Sequence, residues 1–157
     1  QNKQDSKRLA EFSHAVPEAV NSIIDKRKKD YPDLTKLGTD MAVPDSKLRE
    51  VLKMYNKSLK IEGLESVIFG HIGDNHLHVN ILPRNMQEYH RGEELYTEWA
   101  ERIIEMGGTI SAEHGVGKLK VGLLKKMFGR KGIKQMKKLK KVFDPDLLLN
   151  PGTVIDS

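Results

Sequence analysis

The chain has 157 residues, 38 % hydrophobic and 31 % charged, with a mean hydropathy of −0.54. One or two small globular domains fit that length, and no apolar run approaches the roughly 20 residues that a membrane span needs. The absence of cysteine excludes disulfides, thiolate ligands and a cysteine nucleophile, and fits a reducing compartment.

The net charge of +5 is unevenly spread. Residues 118–141 hold eleven Lys and Arg and no acid, which leaves 16 basic and 22 acidic side chains in the other 133 residues. A solvated or intramolecularly covered helix face is the first reading of such a run, and a membrane surface the second. No base-stacking aromatics accompany the lysines, so nucleic acid is not an expected partner. The chain opens with neither methionine nor a signal-peptide pattern, and a helical pattern starts almost at once; a piece of a longer protein is expected.

Residues 6–29 read as a helix, with Leu9, Phe12, Val16, Val20, Ile23 and Ile24 at three- and four-residue steps. Pro17 within it either kinks the helix or restarts it. Residues 35–43 have no helical period and lead extended into Pro44. Asp45 or Ser46 is expected to cap a helix through Leu59, with Leu48, Val51, Leu52 and Tyr55 inward. Gly63 breaks the pattern. Residues 66–72 and 76–82, rich in Val, Ile, Leu and Phe, read as strands. Residues 88–105 form a helix with Leu95, Trp99, Ile103 and Ile104 inward, ended by Gly107-Gly108. Residues 109–117 are a loop or short strand, and two basic helices follow over 118–128 and 131–142. Asp144-Pro145-Asp146 and Asn150-Pro151-Gly152 are turns. The expected class is α+β, with an antiparallel sheet in the first half and a mostly helical second half.

Four of the six histidines fall in two glycine-threaded runs, Gly70-His71-Ile72-Gly73-Asp74-Asn75-His76-Leu77-His78 and Ser111-Ala112-Glu113-His114-Gly115-Val116-Gly117. Imidazole and carboxylate are the groups that ligate divalent metals or move protons near neutral pH. His71 and His78 are seven apart, which on one strand puts them on opposite faces. A two-residue turn at Asp74-Asn75 would instead set His71 directly across from His78, with Cβ atoms about 4.5–5.5 Å apart and suited to one ion. His76 and Asn80 share the face of His78. Glu113 and His114 are candidates to complete the site; if the segment is extended they diverge, one ligating and the other facing substrate. Histidines beside glycine also serve as hydrogen-bonded spacers, and His14 and His90 are read as surface or packing residues. No Gly-x-Gly-x-x-Gly or P-loop is present.

The runs 69–78, 108–117 and Phe143-Asp-Pro-Asp-Leu-Leu-Leu-Asn-Pro-Gly152, with His14-Ala-Val-Pro-Glu18 and Thr39-Asp-Met-Ala-Val-Pro44, resemble the C-terminal half of FAD-linked oxidases. That group includes D-lactate dehydrogenase, the glycolate oxidase large subunit and D-2-hydroxyglutarate dehydrogenase, within the vanillyl-alcohol-oxidase superfamily. The resemblance implies a ferredoxin-like cap with helices on one face of the sheet over residues 1–85, then a small, mainly helical subdomain over 86–157. It implies FAD, bound mainly by an N-terminal domain of the same protein, and oxidation of a D-2-hydroxy acid to the 2-keto acid. By motif, His71, His78 and Glu113 resemble metal ligands, with zinc first and manganese or iron as alternatives. His114 resembles the base; Asn80, His76 and Lys36 are the substrate contacts; Asn150 resembles the segment returning to the flavin domain. Further expected partners are an iron–sulfur or electron-transfer subunit, a second copy in an oligomer, and the inner face of a membrane through 118–141 in an otherwise cytoplasmic protein. Two departures stand out. The family's Gly-Asp-Gly-Asn reads Gly73-Asp74-Asn75-His76 here, and Ser13 occupies the place of a carboxylate-binding arginine. A non-catalytic metal- or anion-binding module is the competing reading.

Overall fold

A computed structural model describes residues 3–155; the side chains of Lys3, Gln4, Ala10, Ser13 and His14 lie outside the description, and with them the expectations placed on Ser13 and His14. Helix α1 spans Lys3–Arg27 with Pro17 inside it. Strands β1 (Leu37–Gly38) and β2 (Met41–Ala42) follow, then α2 (Leu48–Glu62), β3 (Ser66–His71), β4 (His76–Ile81), α3 (Met86–Glu105) and α4 (Val121–Phe143).

Strand β4 is central. It pairs antiparallel with β3 on one side and with β1 and β2 on the other, and Ala42 bridges outward to Thr109. Taking residues 37–42 as one interrupted strand and Thr109 as the last, the chain order is β-α-β-β-α-β, the ferredoxin-like arrangement. Alternation along the strands sends Ile68, Val79 and Ile81 to one face and Phe69, His71, His76, His78 and Asn80 to the other. The first face packs on α2 and α3 through Val51, Tyr55, Leu59, Leu95, Trp99 and Ile103. Trp99 meets Tyr55 edge-on at 4.8 Å and donates to Ser58 Oγ at 2.9 Å, so its polar edge is satisfied inside the core.

The opposite face is covered at one end by α1, where Val20 and Ile24 pack on Val67, Phe69 and Leu82. Leu9 and Phe12, expected inward, are 67 % and 69 % exposed. The reason is length: 25 residues of helix run about 37 Å, whereas six-residue strands run about 20 Å, so α1 overhangs the sheet.

Asp45 does not cap α2. Residues Asp45–Lys47 form a 3₁₀ turn without a side-chain cap, and the Asp45 carboxylate accepts from Asn75 Nδ2 at 2.5 Å. Helix α3 is capped by Asn85, whose side chain accepts from the Glu88 N–H. Gly129, at φ 62° and ψ −179°, divides α4 into two helical arms, a backbone conformation that glycine alone adopts without strain; this is the break expected between the two basic helices. Val121, Leu124 and Ile133 are the buried residues of α4, and Leu139, Val142 and Phe143 on its last turns are 62–79 % exposed. Among the described residues no helix is long and apolar enough to cross a membrane.

Candidate metal and proton-transfer site

The histidine hairpin is longer-looped than the sequence suggests. His71 pairs with His76, Gly70 with Leu77 and Phe69 with His78, so His71 does not face His78 directly. The connection is four residues, Ile72–Asn75. A type I′ turn at Asp74-Asn75 requires two successive positive φ values; here Ile72–Asp74 takes a 3₁₀ turn and Asn75 supplies the left-handed residue at φ 50°. The Asn75 carbonyl accepts from Val43 N–H at 3.3 Å, and its side chain is held by Asp45. The register moves by an even number, which preserves the faces. His71, His76 and His78 therefore all stand on the side of the sheet away from α2 and α3.

Glu113 closes on them from residues 109–117, a loop apart from the Thr109 bridge. Its Oε1 lies 3.0 Å from His78 Nε2 and 3.2 Å from His114 Nε2; its Oε2 lies 3.5 Å from His71 Nε2 and 4.0 Å from His76 Nδ1. Glu113 and His114 do not diverge, because the loop turns here rather than running extended. His71 and His114 are open to solvent, with side chains 60 % and 66 % exposed, whereas that of His76 is 5 % exposed. His71, Asp74, His76, Ser111 and Glu113 border an open cleft of about 460 Å³, room for a small organic acid.

The loop is held in place by Asp40. Its carboxylate accepts from Ser111 Oγ at 2.9 Å, Lys120 Nζ at 2.6 Å, and the backbone N–H groups of Glu113 and His114 at 3.1 Å each, while its own carbonyl accepts from Ala112 N–H. Burial opposes its ionisation; the hydrogen bonds from Lys120, the Glu113 N–H, Ser111 and the His114 N–H outweigh burial and hold the carboxyl well below the usual carboxylate range. Asp40 can reach the loop because the strand is interrupted before it. The Thr39 hydroxyl takes a place in the ladder, accepting from Val79 N–H at 2.9 Å and donating to the Leu77 carbonyl at 3.1 Å.

Thr39 also fixes His78. Its carbonyl lies 2.8 Å from His78 Nδ1, and a carbonyl only accepts, so Nδ1 carries a proton, and in the neutral ring Nε2 turns its lone pair toward Glu113. Two acceptors facing each other at 3.0 Å suit a shared cation or proton. His76 is held below its ordinary pKa by burial first and then by His78, against the opposing pull of Glu113 and Asp40; a neutral imidazole is the ligating form. His76 Nε2 is a buried nitrogen without a hydrogen-bond partner, although Asp40 Oδ1 lies 3.2 Å away. Asp40, His78, Glu113 and His114 offer ligand atoms within 4.8 Å of one another. Imidazole nitrogens beside a carboxylate are a donor set for zinc, iron or manganese.

The other expected site residues are placed differently. Asn80 lies under Gly38, 4 % exposed, on the face of His78. Lys36 lines a separate cleft of about 380 Å³ with Leu37, Tyr89, Tyr96 and Leu119. Asn150, at φ 45°, opens the turn whose Val154 N–H binds the Gly117 carbonyl at 2.8 Å. Thr39, Asp40, Ser111 and Lys120 are not singled out as functional from the sequence; that Thr39 and Asp40 open the Thr39–Pro44 motif and that Ser111 lies in the run 108–117 were the signals available.

Comparisons with known proteins give the family of the chain. The family described as "FAD linked oxidases, C-terminal domain" matches residues 4–154. The chain is 37 % identical over 144 residues to the glycolate oxidase subunit GlcD of Bacillus subtilis, covering 90 % of this chain and 30 % of that protein. It is 34 % identical over 151 residues to the mitochondrial D-lactate dehydrogenase (cytochrome) of Kluyveromyces lactis, 96 % of this chain and 26 % of that one. It is 30 % identical over 168 aligned residues to the D-2-hydroxyglutarate dehydrogenase of Stutzerimonas stutzeri, 93 % and 36 %. The chain thus spans about a third or less of the length of these relatives.

Proposed function

The chain belongs to the family of FAD-linked oxidase C-terminal domains, and from that premise we propose that it forms the metal- and substrate-binding part of a flavoprotein oxidising a D-2-hydroxy acid, of lactate, glycolate or 2-hydroxyglutarate type, to the 2-keto acid. The observation that supports this most is the convergence of four histidines on the Glu113 carboxylate at 3.0–4.0 Å.

In this reading His71 Nε2, His78 Nε2 and Glu113 hold a divalent ion. Such an ion, when bound, supplies Lewis acidity toward the substrate oxygens, and FAD, held mainly by a domain outside this chain, accepts the hydride. The Thr39 carbonyl keeps the His78 proton on Nδ1 and so leaves Nε2 free to ligate. Asp40 sets the loop through the N–H groups of Glu113 and His114, which places the carboxylate and the base together. His114 Nε2, exposed on the substrate side, takes the hydroxyl proton as the α-hydrogen leaves with its electron pair. Asn80 and Lys36 are the proposed substrate contacts, and Asn150 lies on the segment facing the flavin domain.

The test uses the full-length protein. Anaerobic addition of D-lactate, glycolate or D-2-hydroxyglutarate is expected to bleach the flavin with one of the three. Glu113→Gln is expected to lose metal and turnover together, and His114→Ala to lose turnover while keeping most of the metal. A flavin unreduced by all three acids, or equal metal loss in both variants, overturns the assignment.

A further inference from the structure

We propose that His76 is a ligand of this centre, adding through Nδ1 a third imidazole to those of His71 and His78. The inference rests on the reading of the site as a divalent-metal centre and changes what that centre is made of.

Ring placement is the first support. The centroid separations are 5.8 Å for His71–His76, 4.4 Å for His76–His78 and 6.4 Å for His71–His78. With a metal–nitrogen bond of about 2.1 Å, a bound imidazole has its centroid roughly 3.2 Å from the ion, so two rings on one ion stand at most about 6.4 Å apart. All three pairs fall within that limit.

Two donor distances to the Glu113 carboxylate are compatible with this. His76 Nδ1 lies 4.0 Å from Glu113 Oε2, and two atoms bound to one such ion are separated by at most about 4.2 Å. His71 Nε2, at 3.5 Å from the same oxygen, meets the same condition.

The ring's other nitrogen gives the strongest argument. His76 Nε2 is buried without a hydrogen-bond partner and has Asp40 Oδ1 at 3.2 Å. Ligation through Nδ1 places the ring proton on Nε2, beside that carboxylate at 3.2 Å though not aligned on it as a hydrogen bond; a nearby carboxylate is the outer partner a ligating histidine ordinarily has. His78 has the same construction with its nitrogens exchanged, Nδ1 against the Thr39 carbonyl at 2.8 Å and Nε2 toward Glu113. Two consecutive residues, Thr39 and Asp40, thus back two imidazoles. The His114 ring differs in being 66 % exposed, with Glu113 Oε1 at 3.2 Å from its Nε2. On this proposal His76, which borders the cleft with a side chain 5 % exposed, serves the ion rather than contacting the substrate directly. Three nitrogens and one carboxylate favour zinc, iron or cobalt over magnesium or calcium, which take oxygen ligands.

The experiment takes full-length protein stripped by chelator and reloaded with Co²⁺ or Zn²⁺ alone. His76→Asn is expected to lower Co²⁺ affinity by about 100-fold, since loss of an outer-shell partner alone costs 10- to 100-fold, and to change the visible Co²⁺ bands beyond the flavin absorption. X-ray absorption of the Zn²⁺ form is expected to count three imidazoles in the wild type and two in His76→Asn. Wild-type Co²⁺ affinity and spectrum in a folded His76→Asn overturn the proposal; so does a wild-type zinc shell with two imidazoles, whether or not the variant folds. If Glu113→Gln loses Co²⁺ while His76→Asn does not, the metal reading stands and this inference falls. If the wild type binds no Co²⁺, both fall.

Discussion

The Lys120 ammonium lies 2.6 Å from Asp40 Oδ2, on a carboxylate that is 4 % exposed. Removing one member of a buried pair leaves the other charged in a poor solvent, at a cost of about 3–5 kcal/mol. Three further donors remain on Asp40, so Lys120→Met is expected to fall at the low end, about 3 kcal/mol. Urea unfolding measures it; a change under about 0.5 kcal/mol would show that the ammonium contributes nothing beyond a surface pair.

Thr39→Val keeps the shape of the side chain and removes the hydroxyl that links Val79 N–H and the Leu77 carbonyl. The buried Val79 N–H then loses its acceptor and the Leu77 carbonyl a donor, at about 1–3 kcal/mol. Thr39→Ser, which retains the hydroxyl, is expected to stay closer to wild type. The check is the unfolding free energy of both variants, with faster amide exchange at Val79 in the valine variant. Equal exchange in the two would mean that the hydroxyl is not part of the ladder.

Gly70 sits at φ 145°, and a Cβ there would lie 2.6 Å from the His76 carbonyl oxygen and 3.2 Å from His78 N. Gly70→Ala therefore combines backbone strain with overlap, each worth about 1–3 kcal/mol. It also pushes β3 off β4 where His71 and His76 pair. Thermal unfolding should show a clear loss of stability and metal analysis a lower content; a variant unchanged in both would mean that the hairpin relaxes freely.

Asp144 closes α4 by accepting from Lys140 Nζ at 2.7 Å and from the N–H groups of Leu148 and Leu149. The Lys140 contact is the main cause that lowers its pKa, against a smaller opposing effect of burial and with help from the two N–H groups. A lowered folded-state pKa means stability that is fully present above the ordinary unfolded value near 3.9 and is lost as the pH falls through the folded value. Asp144→Asn should be less stable than wild type at pH 7, and the gap should narrow below about pH 4. Urea unfolding at pH 7 and pH 3 tests this; a gap that widens in acid reverses the sign.

The local features were legible in the sequence and the long-range ones were not. Glycine, periodicity and the clustered histidines located the helices, the hairpin and the two runs that meet. The hairpin register was missed because a two-residue loop and a four-residue loop place the same side chains on the same face, so the pattern of residues does not distinguish them. Asp40 was missed because its work depends on partners up to 80 residues away, which no local window contains. Leu9 and Phe12 fit the helical stripe, yet what they face is decided by the extent of the sheet, a property of the assembled fold.

The hairpin carries His71, His76 and His78 within eight consecutive residues, and this bears on how metal-linked stability is measured. Chain closure becomes entropically harder with separation, so even a denatured polypeptide keeps these imidazoles at high mutual concentration, whereas Glu113 drifts away. On the proposed reading of the site as a metal centre, a transition ion finds a partial chelate in the unfolded ensemble too, and occupancy there would subtract from the stabilisation it gives the native state. Melting-temperature shifts on adding metal should accordingly understate the affinity that direct titration of the folded protein reports.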